Sequence, residues 1–446
     1  MKQSLRFGFV GALLLLLAVV AFVGYMTDRV HSHGDEPRYP VAGAPAALTS
    51  LIARGEYLAR AADCIACHTV PGGEPYSGGM AFKLPFGTIY ATNITPDKNT
   101  GIGNWSDEQF LRAVRQGIGS HGNIYPAMPY TSYTAMSRDD VLAIKSYLFS
   151  LKPISQRVPD NVLTFPFNQR WGMAVWNLAF FKDKRFEVRA DRDAMWNRGA
   201  YLATALGHCG ECHTPRNLAF AMNTRKYLGG ESIQGWFATN ITSDRRTGIG
   251  SWSDEQLIRY LSRGHANNRS SASGPMAEVV QNSLQYLTDD DIHSLVEYLR
   301  SVAPVERDRS GEVNLRPEPA AKSTSVVPAV VEMQNVGSLE RELVIGRDLF
   351  AGDCSGCHQW SGVGRQSEYA TLVGSTAAND PQGRSVVQAI LRGTHLKVGD
   401  RHETMPSFGS KYADAEVAAL ANFVLFHFGQ KTGKVTRQQV ADQRKQ

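Results

Sequence analysis

Cys64-Ile65-Ala66-Cys67-His68, Cys209-Gly210-Glu211-Cys212-His213 and Cys354-Ser355-Gly356-Cys357-His358 are three copies of one five-residue pattern. They use all 6 cysteines of the 446-residue chain. Each copy places two thiols three positions apart, where side chains on one helical turn become neighbours. A histidine follows directly.

This C-x-x-C-H spacing is the signature of c-type haem attachment. The two thiols can reach the two vinyl groups of a protohaem and form thioethers, and the next residue is then carried under the iron as proximal ligand. A zinc site would want Cys and His arranged as four tetrahedral ligands. Three identical motifs with no spare cysteine leave that alternative little room. The expected attachment residues are therefore Cys64, Cys67, Cys209, Cys212, Cys354 and Cys357, with His68, His213 and His358 on iron.

Working outward, the first two motifs lie in copies of one unit. Arg54-Gly55-Glu56-Tyr57-Leu58-Ala59 leads to Cys64, and Arg198-Gly199-Ala200-Tyr201-Leu202-Ala203 leads to Cys209. Downstream, Ala91-Thr92-Asn93-Ile94-Thr95 recurs as Ala238-Thr239-Asn240-Ile241-Thr242. Thr100-Gly101-Ile102-Gly103, Trp105 and Ser106-Asp107-Glu108-Gln109 recur from Thr247 to Gln256. The nearly constant offset marks a duplication. A third copy, from about Leu339 to Gly429, is shorter and more divergent. Ser106 and Ser253, each followed by acidic residues, read as helix starts, and Ser137 and Thr288 as N-caps. Val141, Ile144, Leu148 and Leu151 follow helical spacing, as do Ile292, Leu295, Val296 and Leu299, and Val417, Leu420, Ala421, Val424 and Phe428.

A six-coordinate electron carrier needs a second axial ligand. Each unit offers one methionine beside a proline: Met128-Pro129, Pro275-Met276 and Met405-Pro406. Each lies 11 or 12 residues after a glycine, Gly117, Gly264 or Gly393, that closes a predicted helix. Proline resists helix formation and suits a loop that holds sulfur toward iron. Thioether ligation raises the reduction potential relative to bis-histidine ligation. His121, His265, His395 and His402 are rivals for these positions. Met80, Met136, Met173, Met195 and Met222 read as core fillers, and His208 as structural. With both axial positions filled, iron cannot bind substrate, so outer-sphere electron transfer is the expected role.

Composition agrees with a globular chain of about three domains: 43% hydrophobic, 20% charged, formal charge +5. No long basic block suggests nucleic acid as a partner. There is no nucleophile elbow, Walker loop, dinucleotide fingerprint or zinc-protease helix. Lys2 and Arg6 precede an apolar run from Phe7 to Met26. Its length favours a retained membrane anchor over a cleaved signal, and either exports the body of the protein. The segment from Pro304 to Gly337 reads as a Pro-rich linker setting the third unit apart, and the polar tail after Lys431 as a frayed end. Phe165, Phe167, Trp171, Trp176, Phe180 and Phe181 form an aromatic cluster between the first two units. Its plainest reading is an inter-domain core; a docking surface for a partner or membrane, with a shallow quinone pocket as a variant, is the alternative.

These motifs, with Tyr125-Pro126-Ala127-Met128-Pro129-Tyr130, Phe165 to Trp171 and Gly274-Pro275-Met276-Ala277-Glu278, make the chain resemble the trihaem cytochrome c subunit of membrane-bound periplasmic dehydrogenases. Alcohol, gluconate, sorbitol, fructose and aldehyde dehydrogenase complexes carry such subunits. The resemblance implies an electron-transfer subunit with three covalent haems c and no catalysis of its own. Its partner is a catalytic dehydrogenase subunit of quinoprotein, flavoprotein or molybdenum type, with room for a small third subunit. Ubiquinone or a terminal oxidase would be the acceptor, at the bacterial inner (cytoplasmic) membrane with the bulk on the periplasmic side. A multihaem peroxidase and a terminal-oxidase cytochrome subunit are the competing functions.

The expected fold is mainly α, with three tandem class I cytochrome c-like domains after an N-terminal transmembrane helix. The expected boundaries are 1–30 anchor or signal, 48–155 first domain, 156–192 aromatic connector and 193–303 second domain. The linker then spans 304–337, the third domain 338–430 and the tail 431–446. The ligand assignment is testable: Met405→Leu should lower one haem potential or open that iron to added ligands, whereas an unchanged spectrum and potential would remove Met405 from the set.

Overall fold

The computed structural model describes residues 50–306, 338–380, 382–429 and 434–445. The first repeat runs through α1 (Leu51–Ala61), the short turn α2 (Cys64–Cys67), and a hairpin of β1 (Ala81–Leu84) and β2 (Gly87–Tyr90). Then come α3 (Asp107–Gln116), the small ladder of β3 (Ile118–Gly119) with β4 (Gly122–Asn123), α4 (Tyr130–Tyr133) and α5 (Arg138–Ser150). The connector supplies β5 (Val162–Leu163), which pairs with β2 to give the antiparallel order β1-β2-β5, and α6 (Gly172–Phe180).

The second repeat has α7 (Ala194–Tyr201), a π-helical turn over Leu202–Leu206, and α8 (Gly210–His213). It continues with β6 (Glu231–Ile233), β7 (Trp236–Ala238), α9 (Asp254–Arg263), β8 (His265–Ala266), β9 (Ser270–Ser271), α10 (Pro275–Asn282) and α11 (Asp289–Ser301). The third contains α12 (Ser338–Asp353), α13 (Ser355–His358) and α14 (Arg384–Arg392). A hairpin of β10 (Thr394–Val398) and β11 (Arg401–Met405), then α15 (Asp414–His427) and α16 (Arg437–Arg444), complete it.

Local chemistry sets these boundaries. Ser106 and Ser253 form capping boxes with Gln109 and Gln256, each side chain bonding the other residue's amide. Gly117 and Gly264 end the same helices in the left-handed region, at φ 65° and 71°. Ser137 and Thr288 cap α5 and α11 through the amides of Asp140 and Asp291.

In every repeat the first long helix crosses the last: α1 on α5, α7 on α11, α12 on α15. A glycine marks each crossing. A β-carbon on Gly55 would run into the Ala143 carbonyl, one on Gly199 into that of Ser294, and one on Gly346 into that of Ala419. An aromatic residue four positions beyond each carbonyl, Tyr147, Tyr298 or Phe423, closes over the same glycine. Only hydrogen fits, so the backbones approach to contact.

The first two repeats also hold each other. Arg54 pairs with Asp140 at 2.5 Å, and Arg198 with Asp291 at 2.7 Å, within their own repeats. Tyr57 then donates across to Asp291 at 2.5 Å, and Tyr201 donates back to Asp140 at 2.6 Å. The same phenols accept from the Thr288 and Ser137 amides. The exchange is reciprocal, and the apolar core beneath it runs continuously from Leu58 through Leu202 to Leu295.

The third repeat is not set apart. Arg259 pairs with Glu368 at 2.6 Å, Tyr369 donates to the Arg263 carbonyl, and Leu396 is buried in the core of the first two repeats. Most of the expected linker, 307–337, lies outside the described residues. The tail is corrected as well. Its helix α16 packs on the third repeat, with Val440 fully buried and Arg444 on Asp414 at 2.9 Å.

The aromatic connector is not an inter-domain core. Phe165 and Trp171 are 78% and 69% exposed, and Val175 and Leu178 of α6 also face solvent. Only its inner side is anchored, by Phe167 stacked on Phe86 and Trp176 donating to the Ala219 carbonyl. Phe181 is buried against Tyr130.

The expected transmembrane helix is also corrected. Among the described residues no helix is long and apolar enough to cross a membrane. The longest α-helix among the described residues, α12, has 16 residues, about 24 Å at 1.5 Å per residue against a hydrocarbon core of about 30 Å. The apolar run from Phe7 to Met26 lies outside the described residues.

The crossing gives a stability test. Elsewhere in a helix, Gly→Ala gains up to about 1 kcal/mol. Gly199→Ala should instead destabilise by about 3 kcal/mol through overpacking, read as a lower denaturant midpoint; a higher midpoint would refute the close crossing.

Candidate haem sites

Each C-x-x-C-H segment is a single helical turn, and the first two are entered through a residue in the left-handed region. Asp63, at φ 49°, lies between the end of α1 and the turn at Cys64; His208, at φ 36°, lies between the π-helical turn over Leu202–Leu206 and Cys209. In the third repeat the turn follows Asp353 at the end of α12. None of the six cysteines is paired in a disulfide. Burial pushes the thiols of Cys64, Cys67 and Cys209 up to about 12, and those of Cys212 and Cys354 to about 11. Among the described residues no group of three or more His, Cys, Asp or Glu side chains could hold a metal ion, so the tetrahedral zinc alternative finds no ligand set there.

The three histidines are held identically. Each backbone N–H bonds the carbonyl of the motif's first cysteine, at 3.1, 3.0 and 2.9 Å. Each Nδ1 lies 2.6 Å from a main-chain carbonyl: Thr92 for His68, Thr239 for His213, Ala370 for His358. A carbonyl only accepts, so Nδ1 carries the proton and Nε2 keeps its lone pair for a metal. Burial lowers each imidazole's pKa, only partly offset by that bond, so the neutral ring is favoured.

The repeated segments explain where two of those carbonyls come from. Asn93 donates to Thr100 and to the Ile154 carbonyl while accepting from the Thr95 amide. Asn240 repeats this with Thr247, the Val305 carbonyl and Thr242. Thr92 and Thr239 are the residues just before these clamps. Sequence reading found the repeat but missed its task; the similar spacing to the two histidines, 24 and 26 residues, was the available signal.

At the first motif the proposed ligands share one space. A cavity of about 360 Å³ is lined by Cys64, Cys67, His68 and Met128, with apolar walls that include Ile102 and Phe110. Thiol pair, oriented histidine, thioether and apolar walls together fit a haem. Met136, expected as filler, is buried and also lines this cavity, as does the rival His121. Met195 is largely exposed and is no filler.

The other methionines sit differently from the expected loops. Met276 is helical, just behind Pro275 at the start of α10, and packs on the same core as Cys209. Met405 ends a strand, paired with Thr394. Strand alternation places it on the face of buried Leu396, and His395 and His402 on the other, exposed face. His265 has both ring nitrogens engaged, with Ser271 and Asn267, and is 1% exposed. His208 is half-buried and edge-on to Tyr133, a structural position.

One charged group was missed. Glu211, inside the second motif, accepts from Thr131 and Ser132 of α4 and from Arg216 at 2.6 Å. Burial pushes its carboxyl up, but Arg216 and these hydrogen bonds outweigh that and the net direction is down. It is a buried carboxylate joining the second motif to the helix that follows Met128.

Residues 52–152 match the family model for cytochrome c, and residues 342–424 match that for cytochrome c oxidase, cbb3-type, subunit III. The second match covers the third repeat alone. The whole chain is similar to the fructose dehydrogenase cytochrome subunit of Gluconobacter japonicus, 40% identical over 86% of this chain and 81% of that protein. The gluconate 2-dehydrogenase cytochrome c subunit of Pantoea cypripedii is 37% identical, over 89% and 90%. The cytochrome c subunit of the alcohol dehydrogenase (quinone) of Komagataeibacter europaeus is 34% identical, over 89% and 84%.

The chain belongs to the family of dehydrogenase cytochrome c subunits. It is an electron carrier rather than a catalytic subunit, and its cytochrome c domains bind haem c covalently. That family sets aside the peroxidase reading.

Proposed function

We propose that this subunit carries three haems c, receives electrons from a catalytic dehydrogenase subunit, and passes them to ubiquinone or a terminal oxidase on the periplasmic side of the inner membrane. The observation that carries the count is the histidine lock, built three times with a 2.6 Å Nδ1-to-carbonyl contact. Cys64 and Cys67, Cys209 and Cys212, and Cys354 and Cys357 would hold the groups covalently. His68, His213 and His358 would ligate from one side, and Met128, Met276 and Met405 from the other. Haem c supplies reversible one-electron exchange at iron. The chain's own residues orient the imidazoles, keep Nε2 unprotonated and exclude water with apolar walls.

The named relatives serve fructose, gluconate and alcohol dehydrogenases, which supports a catalytic partner of that kind here. Co-purification tests it directly. A flavin-, quinone- or molybdenum-dependent dehydrogenase should accompany the subunit, and its substrate should bleach the oxidised spectrum and raise the reduced α-band. A subunit isolated alone from its native membranes, with no substrate reducing it, would overturn the proposal.

Glu211 gives a second test. Removing a unit charge about 10 Å from a redox centre, at an effective dielectric of about 20, is worth roughly 1.7 kcal/mol, on the order of 70 mV for one electron. Glu211→Gln also leaves Arg216 unneutralised, so one midpoint potential should rise by tens of millivolts. No rise would show that this carboxylate is not near a redox group.

A further inference from the structure

The connector contributes to the first haem cavity as well as facing solvent. Arg170 and Asn161 both line the space that holds Cys64, His68 and Met128. Two further lining residues, Tyr90 and Tyr125, pin this stretch of chain in place. The Tyr90 amide donates to Asn161 Oδ1 at 2.9 Å, and the Tyr125 hydroxyl to the Phe167 carbonyl at 2.8 Å. Arg170 donates to the Asn123 carbonyl of β4 at 3.1 Å and stands 5.5 Å from the centre of the Tyr125 ring. Among the described residues lining the cavity, Arg170 is the one lysine or arginine and Asp63 the one carboxylate. Arg170 forms no ion pair among the described residues.

Haem chemistry supplies a partner for that cation. Thioethers take the vinyl positions on one edge of the macrocycle, and two propionates occupy the edge away from them. A carboxylate carried into an apolar cavity is costly unless donors or a cation meet it. Arginine is the side chain best shaped to do so. Asp63 directly precedes Cys64, beside a thioether position, and would repel a propionate. The second repeat builds a similar corner from its own sequence. Trp105 lines the first cavity, and its repeat counterpart Trp252 has Nε1 buried with no partner among the described residues. Arg269, buried in the turn between β8 and β9, stands 5.5 Å from the centre of the Trp252 ring. An orphaned buried donor beside a guanidinium fits a carboxylate acceptor. The matching turn of the first repeat, Ser120-His121, has no arginine, and there the connector brings one to β4.

We propose that Arg170 of the connector binds a propionate of the first haem. The inference rests on the reading that a haem occupies the first cavity, and adds a residue from outside the repeat that sets its charge balance. A propionate's negative charge favours ferric iron, so a guanidinium that neutralises it raises the midpoint potential of that haem. The connector thereby tunes the first site.

The test is a redox titration of the intact complex, followed in the haem α-band, with peptide mapping to locate the attached haems. Arg170→Gln should lower one midpoint potential and leave the others unchanged. Arg170 is exposed, so solvent screens its effect. The expected fall is about fourfold in the reduced-to-oxidised ratio at fixed potential, about 35 mV at about 59 mV per tenfold. Arg170→Lys keeps the charge and should hold that potential near the wild-type value. With haem present at Cys64 and Cys67, three results would overturn the propionate contact: no potential lowered by Arg170→Gln, all lowered equally, or Arg170→Lys lowering one just as far. A wild-type protein whose Cys64 and Cys67 carry no haem would overturn the reading of the first site itself.

Discussion

Backbone contact between the first long helix of each repeat and the helix that crosses it, α5, α11 or α15, is the constraint on which the rest depends. Gly55, Gly199 and Gly346 let the helices touch without intervening side chains. Asp63 turns the chain just after α1, and His208 just after the π-helical turn that follows α7, each directly ahead of an attachment turn. It also brings Asp140 and Asp291, in the first turns of α5 and α11, against Arg54 and Arg198. The tyrosines on α1 and α7 then reach across to the opposite aspartate. Close packing within each repeat thereby dictates how the first two repeats join.

A second layer of order comes from the main chain. A histidine in a buried turn could present either ring nitrogen, and only one geometry serves a metal. Carbonyls of Thr92, Thr239 and Ala370 remove that freedom. In the first two repeats an asparagine clamp holds the loop beyond the carbonyl. The third repeat reaches the same end without that asparagine, from a short loop ending at Ala370. The geometry is common to all three even where the sequence that builds it differs.

Much of this was legible beforehand because it is local. Helix starts at Ser106 and Ser253, glycines at helix ends and the cysteine–histidine spacing each act over a few residues. What was not legible is tertiary. Nothing around Met276 or Met405 announces that one would be helical and the other in a strand, since the flanking proline sits at a helix start in one case and just past a strand in the other. Val435 and Val440 look like stray apolar residues in a polar tail until the core of the third repeat takes them in. The aromatic connector reads as core by composition, yet α6 turns Ala174 and Asn177 inward and leaves Trp171, Val175 and Leu178 outside. Proline and charge in the linker suggested separation, whereas contacts such as Arg259 with Glu368 are too distant in sequence to be seen there.

Intact-mass measurement of the purified subunit under denaturing conditions tests the central claim most directly. Thioether-linked groups survive unfolding, whereas haem held only by axial ligands leaves. Three occupied attachment turns predict a polypeptide mass increased by three haems. A mass increased by two or fewer, or haem released on denaturation, would contradict three equivalent covalent sites.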